Sequence, residues 1–176
     1  MFNNWEPDNY LTLITIILMA TGGFFALIQW NSSEKFKRVK YLDEIITKLR
    51  FDPEMANTLY TIDYNHNWYT KEFHNNRDLE YKIDKVLSYF DFICYLYNMR
   101  NIKYNEFKII KYRVNRICIS PSVQKYLWNL YHFSKRMGAE CSFTHIIDYG
   151  IKNKIIKKEF KDNSNDLYGN CKYLNF

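Results

Sequence analysis

The chain has 176 residues, 47 % hydrophobic and 19 % aromatic, with only 5 Gly and 3 Pro, and a formal net charge of +6. That length fits one anchor and one domain of ordinary size; the aromatic content excludes a disordered chain, and the scarcity of turn formers excludes a sandwich or barrel of many short strands. The positive balance points to anionic neighbours, and four scattered cysteines (Cys94, Cys118, Cys141, Cys171) without a C-x-x-C argue for free thiols rather than a zinc site.

Leu11 to Trp30 is an apolar run of twenty residues without a charge, followed at once by Lys35, Lys37, Arg38 and Lys40. As a helix it measures about 30 Å, the thickness of a bilayer's hydrocarbon core. A signal peptide has a basic start and a shorter apolar core, whereas here the first ten residues carry Glu6 and Asp8 and no cation. The spacing therefore predicts a transmembrane helix over residues 11–30. The positive flank places an extracytoplasmic tail at 1–10 and the rest of the chain in the cytoplasm. Trp5, Tyr10 and Trp30 fall where interfacial aromatics belong. Ala20, Gly22, Gly23 and Ala26 form a small-residue patch at which two such helices can approach closely, which makes self-association an expectation.

Behind the anchor, Phe36, Val39, Leu42, Ile46 and Leu49 mark one face of a helix over about 33–50, partly at coiled-coil spacing. Asp52 before Pro53 reads as a cap with proline in the first turn, opening a short helix to about Thr61. Residues 62–77 read as loop. Asp78 is the expected cap of an amphipathic helix to about Met99, with Leu79, Ile83, Val86, Leu87, Phe90, Cys94 and Tyr97 on its buried face. A helix over about 105–119 follows. Ser120 and Pro121 open another to about Met137, burying Val123, Leu127, Leu130 and Met137 and closed by Gly138. A last short helix over 143–149 is expected to end at Gly150, leaving 151–176 as a basic tail. The fold class is thus all-α: one transmembrane helix, then a cytoplasmic bundle of about five helices over 31–150.

Between Arg100 and Arg136 nine basic residues face a single acid, Glu106. Within that stretch Lys108, Lys111, Tyr112 and Arg116 share one arc, a candidate anion-binding face where cations grip phosphates and a tyrosine stacks on a base. Glu80, Asp84 and Asp91 form an acidic stripe on the preceding helix. Because only one helix supplies them, pairing with the basic arc is expected rather than a metal site. The histidines (His66, His74, His132, His145) are dispersed; His145 with Asp148, or His74 with Cys141, are the dyads the composition allows. No Walker, G-x-G-x-x-G, G-x-S-x-G or H-E-x-x-H motif occurs, so no catalytic, cofactor or metal residue is assigned and a non-enzymatic role is expected.

Three stretches, Leu49-Arg50-Phe51-Asp52-Pro53-Glu54, Asp84 leading to Leu87-Ser88-Tyr89-Phe90-Asp91, and Pro121 to Tyr126-Leu127, carry a resemblance over most of residues 30–137. In this layout the chain resembles a broad group of bacterial membrane-anchored helical proteins, some labelled phage abortive-infection proteins. The resemblance implies a role in antiviral defence or its regulation, with a protein partner of a defence system, and carries over no catalytic residues; the anchor makes a single-pass protein of the bacterial inner membrane the expectation. Its expected partners are the lipid bilayer and a second copy of itself. A membrane-tethered receptor for nucleic acid or a nucleotide, using the basic arc, is the alternative, and a lipid-acting enzyme a further one.

Overall fold

A computed structural model describes residues 7–64 and 67–162. Among them the chain is all-helical: α1 (Pro7–Phe51), α2 (Pro53–Tyr64), α3 (Arg77–Asn98), α4 (Tyr104–Ile119), α5 (Pro121–Arg136) and α6 (Thr144–Lys152), with 3₁₀ turns at Phe73–Asn75 and Lys158–Lys161. The chain divides into two compact units, Met1–Asp43 and Glu44–Phe176.

The first unit holds the apolar part of α1. Its most hydrophobic window is wholly uncovered, with Leu18, Met19, Phe25 and Leu27 all more than 60 % exposed. Each such side chain forgoes about 1.5–3 kcal/mol of burial if left in water, so this surface calls for an apolar surround. The hydroxyls inside the run are satisfied within the helix: Thr12, Thr15 and Thr21 donate to the carbonyls of Asp8, Leu11 and Ile17 at 2.8–2.9 Å. That is what a helix without water around it requires. Gly22 and Gly23 have open space where a Cβ would stand. Tyr10 and Trp30 are exposed; Trp5 lies outside the described residues. Phe36 and Val39, expected on a buried face, are 71 % and 55 % exposed.

The second unit is organised around α3. Ile83, Val86, Leu87, Phe90, Ile93 and Cys94 are at most 1 % exposed, and the helix packs on α2, α4 and α6. Their three- and four-residue spacing puts them on one face, and burying it against three neighbours supplies most of the helix's stability. From the end of α1 the unit buries Ile45 and Leu49. Asp52 caps α2 as its sequence signature predicts, its Oδ1 accepting from the N–H groups of Glu54 and Met55 at 3.0 and 3.1 Å. The cap of α3 is Asn76 rather than Asp78: its side chain accepts from Leu79 N at 3.2 Å, and Asp78 pairs one turn on with Lys82. Ser120 opens α5 without a side-chain cap bond.

Three helices close alike. After α5, Gly138 at φ +69° donates to the carbonyl of Lys135 and Ala139 to that of Ser134. After α3, Arg100 occupies the same left-handed position at φ +60°, with Arg100 N to Tyr97 O and Asn101 N to Leu96 O. After α6, Lys154 does so at φ +58°. Two of these paired-bond terminations thus carry a long cation where glycine is the usual residue.

At the C-terminal side the expected boundaries move. Met137 is 65 % exposed, and the inner face of α5 is Val123, Tyr126, Leu127, Trp128, Asn129 and His132. Gly150 does not end α6 but lies inside it, because the Ile156 side chain occupies the space of its missing Cβ. The stretch expected to be a tail from Ile151 therefore contributes to the core: Ile156 and Phe160 are 2 % and 1 % exposed. His132 Nε2 donates to the Phe160 carbonyl at 3.0 Å, holding the second 3₁₀ turn to α5. Residues beyond 162 lie outside the described part.

Candidate functional site

The basic arc of α4 is built as its spacing predicts but is not uniform in what it offers. Phe107, Ile110, Val114, Ile117 and Cys118 are buried, which turns the opposite side outward. On that side Tyr112 is 67 % exposed and Lys108 is exposed. Lys111 lies over the Tyr104 ring, 5.9 Å from its centroid. Arg116 is taken up internally, its Nε donating to Asp63 Oδ1 of α2 at 3.0 Å, with Arg113 Nη1 4.0 Å from the other oxygen. Exposed Ile109 and Ile119 make the face mixed, apolar as well as cationic. Tyr112, Arg113 and Ile109 line a groove of about 210 Å³ with Leu49 and Arg50 from the end of α1.

The acidic stripe of α3 does not pair with this arc. Glu80 meets His74 Nδ1 at 2.6 Å, Asp84 Oδ1 accepts from the Tyr126 hydroxyl of α5 at 2.6 Å, and Asp91 Oδ1 accepts from Ile146 N at 2.8 Å. The reason is geometric: these carboxylates serve the neighbours of α3 other than α4, and α4 turns its apolar side inward. Asp91 thereby caps α6 from another helix, a task that Phe143 at the N-cap position lacks the side chain to perform. Burial pushes the carboxyls of both Asp84 and Asp91 above their ordinary value, against the hydrogen bonds that lower them.

A polar and aromatic cluster surrounds Tyr126, drawn in part from the segment whose composition predicts a loop. Trp68, Tyr69 and Phe73, from the stretch expected to be loop, are all buried, with ring centroids 5.2–5.9 Å from that of Tyr126. Asn129 Nδ2 donates to the Tyr69 hydroxyl at 2.6 Å. The legible signal was three large aromatics inside an otherwise polar segment, which has no periodicity to reveal a buried side. Burial also pushes the Tyr126 hydroxyl well up, so this network is a set of neutral or paired groups, a structural tie between the 67–76 segment, α3 and α5.

The dyads allowed by composition are not what the fold assembles from these residues. His74 is committed to Glu80, Asp148 pairs with Lys161, and the His145 ring lies against Tyr95. His66 lies outside the described residues. Cys94 and Cys118 are fully buried, and burial pushes the Cys118 thiol up to about 12 and that of Cys94 higher still. Thiols so protonated are poor nucleophiles and poor metal ligands. Cys141 is half-buried and likewise raised, and Cys171 lies outside the described residues. Among the described residues no three His, Cys, Asp or Glu side chains converge.

Fold and surface together define an all-helical protein with one N-terminal helix long and apolar enough to cross a membrane, and a helical region that follows it. No protein-family model, no curated protein and no solved structure matches the chain.

Proposed function

We propose that this is a single-pass protein of the bacterial inner membrane, amino terminus outside, whose helical region acts by binding rather than by chemistry. In this reading self-association of the span at Ala20, Gly22, Gly23 and Ala26 transmits the binding event to the membrane, and the resemblance is what supports a setting in antiphage defence. The carrying observation is the charge-free twenty-residue stretch with its side chains uncovered and its hydroxyls satisfied internally. Lys35, Lys37, Arg38 and Lys40 on one flank support the orientation. Fusions of a periplasm-active and a cytoplasm-active reporter to each terminus test the topology, the expected result being cytoplasmic signal at the carboxyl end alone. Crosslinking in native membranes, with and without phage challenge, tests self-association; monomers under both conditions overturn it.

A second reading is favoured by one observation, exposed Tyr112 flanked by Lys108 and Arg113 on α4. It makes the region a receptor for nucleic acid or a nucleotide, stacking on the tyrosine and pairing phosphates with the cations. Anisotropy with labelled RNA, DNA and cyclic nucleotides on the full chain in detergent tests it, and unchanged affinities in Lys108→Glu with Lys111→Glu refute it.

A further inference from the structure

The second unit carries a different cationic feature, at the place where three helix ends meet. The close of α3, the start of α4 and the end of α6 line an open concavity of about 360 Å³. Its charged lining is Arg100, Lys103 and Lys152, and no acid lines it. Tyr97 and Tyr104 form part of the wall, with Asn98 beside them.

Several cations of the unit are matched by carboxylates: Lys82 by Asp78, Lys85 by Glu54, Arg116 by Asp63, and Lys161 by Asp148. Arg100, Lys103 and Lys152 make no ion pair with any described residue, although they line one concavity. Three cations on one concavity give it a positive potential, which favours a bound anion. The negative ends of the α3 and α6 dipoles account for part of the attraction of Arg100 and Lys152 to this place. They do not account for Lys103, which precedes the positive end of α4, where the Glu106 carboxylate already accepts the Lys103 N–H at 2.7 Å. Arg100 moreover holds its position at φ +60°, where glycine gives the same helix termination without strain.

We propose that this cavity binds a small phosphorylated ligand carrying two or more negative charges, its phosphate oxygens held by Arg100, Lys103 and Lys152. Arginine offers a planar fork to the phosphate and the lysines add point charges. The partly open wall at Tyr104, 56 % exposed, leaves room for the rest of the ligand. The site adjoins the outer face of α4 through Tyr104, over whose ring Lys111 lies, but Lys108, Tyr112, Arg113 and Arg116 are not among its lining.

The test uses the full chain in detergent and titration calorimetry at physiological salt with three probes: inorganic pyrophosphate, ADP and dioctanoyl phosphatidic acid. Saturable binding of at least one is expected; equal affinity for pyrophosphate and ADP makes phosphate alone the determinant, and preference for ADP or the phosphatidate identifies a nucleotide or lipid source. Arg100→Gly is the decisive variant because it removes the charge while relieving the backbone. It is expected to melt at the same or a higher temperature and to bind about tenfold more weakly, as loss of one charge-assisted contact implies. Lys152→Ala, at an exposed position, is expected to weaken binding likewise, whereas Lys135→Ala with Arg136→Ala, outside the cavity, leaves it unchanged. No saturable binding of any probe at millimolar concentration overturns the proposal. So does binding that survives both Arg100→Gly and Lys152→Ala.

Discussion

Replacing Gly150 by alanine distinguishes two opposed physical effects. In an ordinary helix interior the change stabilises by about 1 kcal/mol, because alanine loses less backbone entropy. Here a Cβ at Gly150 stands 2.5 Å from Ile156 Cδ1, 2.7 Å from Cγ1 and 3.3 Å from Cβ. The first two atoms can rotate away, but Ile156 is 2 % exposed and its backbone N–H, like that of Ile155, donates to the Gly150 carbonyl at 3.1 and 2.9 Å. The side chain must therefore leave a packed rotamer, or the 150–156 turn must open. Overpacking of this kind costs about 1–3 kcal/mol, and more when a hydrogen-bonded turn shifts with it. Set against the propensity gain of about 1 kcal/mol, Gly150→Ala should destabilise by up to about 2 kcal/mol, a fall in melting temperature of up to roughly 6 °C for a unit of this size. Near-ultraviolet circular dichroism of the full chain in detergent reports the transition. Ile156→Val, which removes the Cδ1 atom, costs about 0.5–1.5 kcal/mol alone but should recover part of the loss when combined with Gly150→Ala. A stabilising Gly150→Ala, or strict additivity in the double variant, refutes the packing argument.

Asp91→Ala leaves Ile146 N without its acceptor and should cost about 1–3 kcal/mol, while Asp91→Asn keeps an acceptor and loses less; chemical denaturation followed by tryptophan fluorescence separates them. Burial pushes the His132 imidazole below its usual value, outweighing the hydrogen bond to the Phe160 carbonyl, which acts the other way. Its folded form thus binds fewer protons than its unfolded form. The contribution is complete above the unfolded value of about 6.5 and is lost as pH falls through the depressed folded value. Melting temperatures measured from pH 7.5 to 5 should drop, and His132→Gln should flatten that slope; an identical slope in the variant removes His132 from the account. Leu18→Arg, near the middle of the apolar run, should cost about 2.5–3.5 kcal/mol of membrane insertion and move protein from the membrane fraction to the soluble or degraded pool, whereas an undiminished membrane fraction contradicts a spanning role.

The sequence by itself determined whatever depends on neighbours within a turn or two. The charge-free run at Leu11–Trp30, the Asp52 cap, the glycine termination at Gly138 and the apolar stripe of α3 are local patterns, and the helices stand where those patterns put them. Tertiary structure decided which polar groups meet. The carboxylates of Glu80, Asp84 and Asp91 share a helix with one another but find partners six, 42 and 55 residues away, and no spacing within α3 encodes those distances. The same holds for Gly150, whose residue type reads as a helix end until Ile156 is seen occupying its missing Cβ. It holds equally for Trp68, Tyr69 and Phe73, buried without periodicity because the surrounding helices, not the segment itself, supply the other half of their packing. Of the basic arc, periodicity found the face, but only the fold shows Arg116 spent on Asp63. Arg100, Lys103 and Lys152 come together for the same reason: a charge's sign is written in the chain, whereas its neighbours are set by where helices end and how they pack.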